Sequence, residues 1–132
     1  VPQESGTQSL QRRDDLWQHT CLELFVAETL TSAYHELNLS PAGNWNCYSF
    51  TDYRLGMKES ATMTLQAMSG NMQSQVLTAE VELAMPDENF LLGPAVVIED
   101  STGTLSYFAL SHRHQPDFHN RDHYVHTARN HL

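Results

Sequence analysis

Positive charge is scarce in this chain. Seven Lys and Arg stand against sixteen Asp and Glu in 132 residues, and the formal net charge is −9. Nucleic acid and anionic membrane surfaces both need clustered cations, so this balance argues against either as a partner. Long apolar runs are missing as well: none approaches the roughly 20 residues a membrane-spanning helix requires. Cysteine is limited to Cys21 and Cys47, too few for a disulfide scaffold. Both fall in strand-like runs, where a buried free thiol packs as a small apolar residue; a disulfide between them is the alternative. No basic start followed by an apolar stretch opens the sequence, so no signal peptide is visible. That leaves the compartment open, with a slight lean towards the cytoplasm.

What is present reads as one domain with enough length to bury a core without staples. Residues 1–15 (VPQESGTQSLQRRDD) are polar and unpatterned, expected as an arm or loop, and residues 16–132 as a single β-sandwich domain. Alternation of period two dominates. Residues 75–83 set Leu77, Ala79, Val81 and Leu83 against Thr78, Glu80 and Glu82; residues 61–68 set Ala61, Met63, Leu65 and Ala67 against Thr62, Thr64 and Gln66. A link over Ser69–Met72 suits a hairpin, with helix the competing reading for 60–68 on propensity. Residues 95–99 and 104–111 flank the turn Asp100-Ser101-Thr102-Gly103, while Pro86-Asp87 and Gly93-Pro94 punctuate what precedes them. About seven closely spaced strands without internal repeat point to an all-β fold, an antiparallel β-sandwich of jelly-roll type.

The register of the central strands is specified by parity. If Glu28 faces Ala33, then Val26 faces His35, Leu24 faces Leu37 and Leu22 faces Leu39, which makes one face apolar. The other face pairs Glu23 with Asn38, Phe25 with Glu36 and Ala27 with Tyr34. A slip of one residue would mix the two sets. After the turn Ser40–Asn44, Leu39 faces Trp45 and Leu37 faces Cys47, while Asn38 meets Asn46 and Glu36 meets Tyr48. Strands lie about 4.8 Å apart, so Glu23, Glu36, Asn38, Asn46 and Tyr48 form one polar patch with aromatic edges. A sheet face in water needs no function to be polar. Such a face usually carries lysine, however, and this one carries Phe25, Tyr34 and Tyr48. Aromatic faces stack on sugar C–H surfaces, and carboxylates and amides bind hydroxyl pairs. A buried acceptor left unpaired costs roughly 1–3 kcal/mol, so such a site discriminates.

"DLWQHTCLELFV" followed by "YHELNLSPAGNWNCYSFTDYR", with "FALSHRHQPDFHNRD" near the C-terminus, resembles the DOMON-like superfamily, and within it the bacterial proteins related to family-nine carbohydrate-binding modules. The resemblance spans most of residues 15–122. It implies a β-sandwich that holds a mono- or disaccharide end between two Trp rings, with a Glu six residues after the first Trp and polar residues two apart on a later strand. Trp17 and Glu23 match the first spacing, and Glu36 and Asn38 the later pair, although an Arg or Lys often occupies part of that region in the binders. The C-terminal third has no Trp, leaving Tyr107, Phe108 or Phe118 as the second ring. Trp45 belongs to the apolar face and reads as core. Members of the group usually carry more strands before "LW", so a missing strand would leave an exposed sheet edge through which a homo-oligomer could form.

The resulting expectation is a non-catalytic module for a small carbohydrate. Its ligand-binding candidates are Trp17, Glu23, Glu36, Asn38, Tyr48 and Arg54, with His112 and His114 at the rim. The alternatives are a structural or protein-interaction domain without small ligand, a glycoside hydrolase using Glu23 and Glu36, and a metal protein using the His-rich tail. No cofactor is expected: the five Met show no haem-ligand motif, and the acidic balance permits calcium without an Asp-rich loop to hold it. Cys–His and Ser–His–Asp chemistry lack their motifs.

Overall fold

The computed structural model describes residues 10–71, 76–84, 89–109, 117–121 and 124–128. Ten strands are found among them: β1 (Gln11–Arg12), β2 (Cys21–Glu28), β3 (Tyr34–Leu39), β4 (Asn44–Phe50), β5 (Lys58–Glu59), β6 (Met63–Asn71), β7 (Val76–Leu83), β8 (Asn89–Glu99), β9 (Leu105–Ala109) and β10 (Val125–Ala128). Eight form one sheet in the order β1-β4-β3-β2-β8-β10, with β5 beside β4 and β9 beside β8. β6 and β7 pair as a separate hairpin. Every pairing is antiparallel except the short β1–β4 ladder. The chain is thus all-β and arranged as a sandwich, with the hairpin as the second layer. The surplus over seven strands comes from two-residue pieces and from the closing segment, which carry little periodicity of their own.

The hairpin is held by the apolar face that parity defines. Val26, Leu37, Leu39, Trp45, Cys47 and Phe90 of the sheet pack against Met63, Leu65 and Met68 of β6, with Leu77, Val81 and Leu83 of β7 at the margin. The β2–β3 register pairs Leu22 with Leu39, Leu24 with Leu37 and Val26 with His35; β3–β4 pairs Leu37 with Cys47 and Leu39 with Trp45. These are the pairs the alternation specifies. Leu37 is 2% exposed at the centre of this layer, where truncation to Ala leaves a cavity costing about 2–5 kcal/mol. Both thiols are buried and free, with burial pushing Cys21 up to about 12.

Three local expectations are corrected. β6 is a strand, but Gln66 is an extra residue between the Leu65–Val81 and Ala67–Glu80 pairs. This bulge reverses the parity, so Met68 rather than Ala67 joins Met63 and Leu65 in the core. The hairpin also extends further than Ser69–Met72, since Asn71 still pairs with Val76. Gly93-Pro94 does not end a strand: both lie within β8. β10 pairs with residues 89–92 and β9 with 95–99, so the proline, which has no N–H to donate, falls where that edge changes partners. Gly93 leaves room for Tyr124, whose ring atoms would come within 2.4 Å of an added Cβ.

Candidate functional site

The opposite face of the sheet carries a second, aromatic cluster of Phe25, Ala27, Tyr34, Tyr48 and Phe50, against which Trp17, Leu91, Phe118 and Tyr124 pack. Glu23 faces Asn38, Phe25 faces Glu36, and Glu36 faces Tyr48 across neighbouring strands. A cavity of about 410 Å³ opens here, lined by Trp17, Glu23, Glu36, Phe50, Arg54, Met57, Val97, Tyr107, Phe118 and His119. That size is within the roughly 300–1,000 Å³ of small-molecule sites.

Trp17 reaches the cavity from the 3-10 turn Leu16–Gln18, entered through Asp15 in the left-handed region at φ 64. Its ring meets Tyr48 edge-on at 5.8 Å. The preceding residues fasten this turn to the sheet. The Tyr48 hydroxyl donates to Asp14 Oδ1 at 2.7 Å and the Asn46 amide donates to the same oxygen at 3.2 Å. Arg12 donates to Asn46 Oδ1 and lies 4.5 Å over the Trp45 ring. The described part of the polar N-terminal segment therefore covers one end of the polar patch. Tyr48 and Asn46 are spoken for by these contacts, and Glu23 and Glu36 are left to the cavity.

Asn38 is wholly buried and does not reach the cavity wall. Neither its Nδ2 nor its Oδ1 has a hydrogen-bond partner, a costly state for an amide. Arg54 stands at the wall with φ 55. Its guanidinium donates to Asp117 Oδ1 at 2.9 Å and to the Tyr53 hydroxyl at 3.2 Å. Tyr107 and Phe118, both considered for a second ring, border the cavity with ring centroids 6.1 Å apart; Phe108 is 51% exposed and stays outside. His112 and His114 lie outside the described residues. Among the described residues no group of three or more His, Cys, Asp or Glu could hold a metal ion.

His119 is the site residue that parity could not find. Its ring packs edge-on against Phe25 and Phe50 at 4.9 and 5.1 Å, and its Nε2 lies 3.7 Å from Glu36 Oε1. Burial, reinforced by Arg54, lowers the imidazole to about 4. It is neutral at pH 7, and the contact with Glu36 is then neither an ion pair nor, at that distance, a hydrogen bond. The signal available in the sequence was "QPDFHN", where Asp117, Phe118 and His119 run together; nothing local says that the run folds back over β3.

Both carboxyls are displaced upward. Burial is the main cause for each; the charge of Glu36 adds to it at Glu23, while Asn38 and Arg54 act against it at Glu36. The site thus combines aromatic walls, two buried carboxyls and a rim cation already paired to Asp117.

Fold and cavity together define a β-sandwich with an acidic, aromatic-lined concavity on one sheet. Among solved structures the chain is similar to a protein of Bacteroides uniformis described as a "putative carbohydrate-binding protein". The TM-score is 0.59 at 10% sequence identity, over 96% of this chain and 68% of that one. At that identity the likeness is one of fold. No family model matches the chain, and no curated protein matches it.

Proposed function

We propose that this cavity binds a small sugar or glycan end non-covalently and that the chain is a DOMON-like, non-catalytic carbohydrate-binding module. The observation that carries this reading is the convergence of Trp17, Glu23 and Glu36 on one solvent-reachable concavity bordered by Tyr107 and Phe118. Indole and phenyl rings offer faces for pyranose C–H groups, and the carboxyls accept from vicinal hydroxyls. The fold shared with a protein described as carbohydrate-binding is in keeping with it. Hydrolysis by the Glu23–Glu36 pair is the competing reading for the same face, and turnover of nitrophenyl glycosides would select it.

Titrating the protein with glucose, cellobiose and xylobiose while following Trp emission tests the reading. A saturable shift that disappears in Trp17→Ala, with Trp45 unaltered in the opposite core, is expected. Absence of a shift with every sugar of a glycan array would remove it. A protein-interaction domain is the second reading, drawn from the exposed Tyr53, Leu55 and Met57 on the loop between β4 and β5; concentration-dependent association insensitive to sugars would select it.

A further inference from the structure

We propose that the cavity selects sugars bearing a protonated amine over neutral sugars; this rests on the sugar-binding reading above and names the ligand class. Glu23 and Glu36 are 7% and 4% exposed. They are diagonal neighbours on one face of β2 and β3, since Glu23 pairs with Asn38 two residues beyond Glu36, a spacing of roughly 7–8 Å between backbones. One ammonium group fits between two carboxylates at that separation.

No described side chain places such a cation against both carboxyls. Among the described residues Glu23 has no hydrogen bond or ion pair, and Glu36 has the His119 Nε2 at 3.7 Å and the Asn38 amide alongside. Arg54, at the same wall, is committed to Asp117 and the Tyr53 hydroxyl. His119 is neutral at pH 7. Without a counter-charge, burial pushes both carboxyls towards their neutral forms, and an ammonium seated between them would return them to carboxylates. A neutral hydroxyl can donate to one carboxylate but brings no charge to offset the other. An ammonium brings both charge and donors.

The rest of the lining separates an organic cation from a metal ion. Trp17 and Phe118 border the cavity with aromatic rings, a chemistry that attracts ammonium groups and also suits the C–H surface of a sugar. A divalent metal would require more oxygen ligands than Glu23 and Glu36 provide.

Calorimetric titration of the whole chain with glucosamine, N-acetylglucosamine and glucose at pH 6.5 and fixed ionic strength decides the matter. Glucosamine is expected to bind at least tenfold more tightly than the other two. Glu36→Gln should bring the glucosamine-to-glucose ratio close to one while the variant retains its cooperative thermal transition. Equal binding of glucose or N-acetylglucosamine to the unaltered protein would overturn the amine selectivity and leave the sugar site standing. Failure of glucosamine to bind would likewise overturn this inference, while the sugar reading itself falls only with the whole glycan array.

Discussion

The Tyr34 hydroxyl lies 2.7 Å from Nδ1 of His119 and accepts the backbone N–H of Arg54 at 2.9 Å. One phenol on β3 thereby fixes two segments that are remote in sequence. His119 is neutral at pH 7, so Nδ1 and the Tyr34 hydroxyl share one hydrogen bond whichever ring nitrogen carries the hydrogen. Arg54 holds a left-handed backbone at φ 55, a strained state for a non-glycine residue that its N–H bond to Tyr34 helps to maintain.

Tyr34→Phe keeps the stacked ring, which lies 4.7 Å from Phe50, and removes the hydroxyl. The Arg54 N–H and His119 Nδ1 then lose their shared partner. A loss of about 1–3 kcal/mol is expected in urea denaturation with an unchanged m-value. A variant as stable as the original would show that the hydroxyl does not hold the two segments.

Arg121 makes a comparable tie on the other side. Its guanidinium donates to the carbonyls of Glu28 and Thr31 at 2.8 and 3.0 Å and to that of Ala33 at 3.0 Å. These carbonyls lie at the end of β2 and in the β2–β3 connection, so the segment 117–121 is bound to the sheet that carries both carboxyls. Arg121→Ala should cost about 1–3 kcal/mol and, by releasing Phe118 and His119, weaken the sugar binding proposed for the cavity. Arg121→Lys should restore little, because one ammonium cannot reproduce the planar fork. Full rescue by lysine would reduce the residue's role to its charge.

How far the sequence discloses this arrangement depends on the range of each contact. The β2–β3–β4 register was legible because the side-chain period is two and Leu22, Leu24, Leu37 and Leu39 leave one consistent pairing. The same parity brings Glu23 and Glu36 to one face. The bulge at Gln66 was not legible, since an added residue changes parity without altering composition. His119 was missed because its contact with Tyr34 spans 85 positions and no period connects them. Asp14 reads as one more acid in a polar stretch until Tyr48 and Asn46 are seen to need an acceptor. Asn38, expected among the ligand-binding residues, is wholly buried and outside the cavity lining, since parity gives a face but not a depth.

Gly93 offers a test of the packing behind the cavity. A Cβ there would lie 2.4 Å from two atoms of the Tyr124 ring, and that ring stacks on Phe25 at 5.9 Å and donates its hydroxyl to the Phe118 carbonyl at 2.8 Å. Gly93→Ala must therefore displace an aromatic ring. Overpacking of this kind costs about 1–3 kcal/mol. Thermal unfolding should show that loss, and Tyr124→Ala in the same chain should recover part of it. A neutral Gly93→Ala would mean that Tyr124 does not rest on β8.

The buried carboxyls make stability depend on pH in a direction opposite to that of ordinary surface acids. Glu23 rises from 4.5 to about 8 in the folded chain, first through burial and then through Glu36. A group whose folded pKa is raised contributes fully below its unfolded value, and that contribution is lost as pH rises through the folded one. The window for Glu23 thus runs from about 4.5 to about 8. His119 works against it lower down: its folded pKa is depressed from 6.5 to about 4, so acidification through that range destabilises the fold. Above pH 6.5 the histidine effect is spent and the carboxyl effect remains. Stability should therefore fall between pH 6.5 and 8. Glu23→Gln keeps the shape and removes the charge, so it should unfold at nearly the same urea concentration as the parent at pH 4.5 and at a clearly higher one at pH 8. Glu36, raised mainly by its own burial, would retain a smaller slope in that variant, which Glu36→Gln in the same chain should flatten. Parent stability that rises from pH 6.5 to 8 would mean that water or a counter-ion reaches these carboxyls freely, and the cavity would then lack the buried acidic pair on which the proposed ligand selection depends.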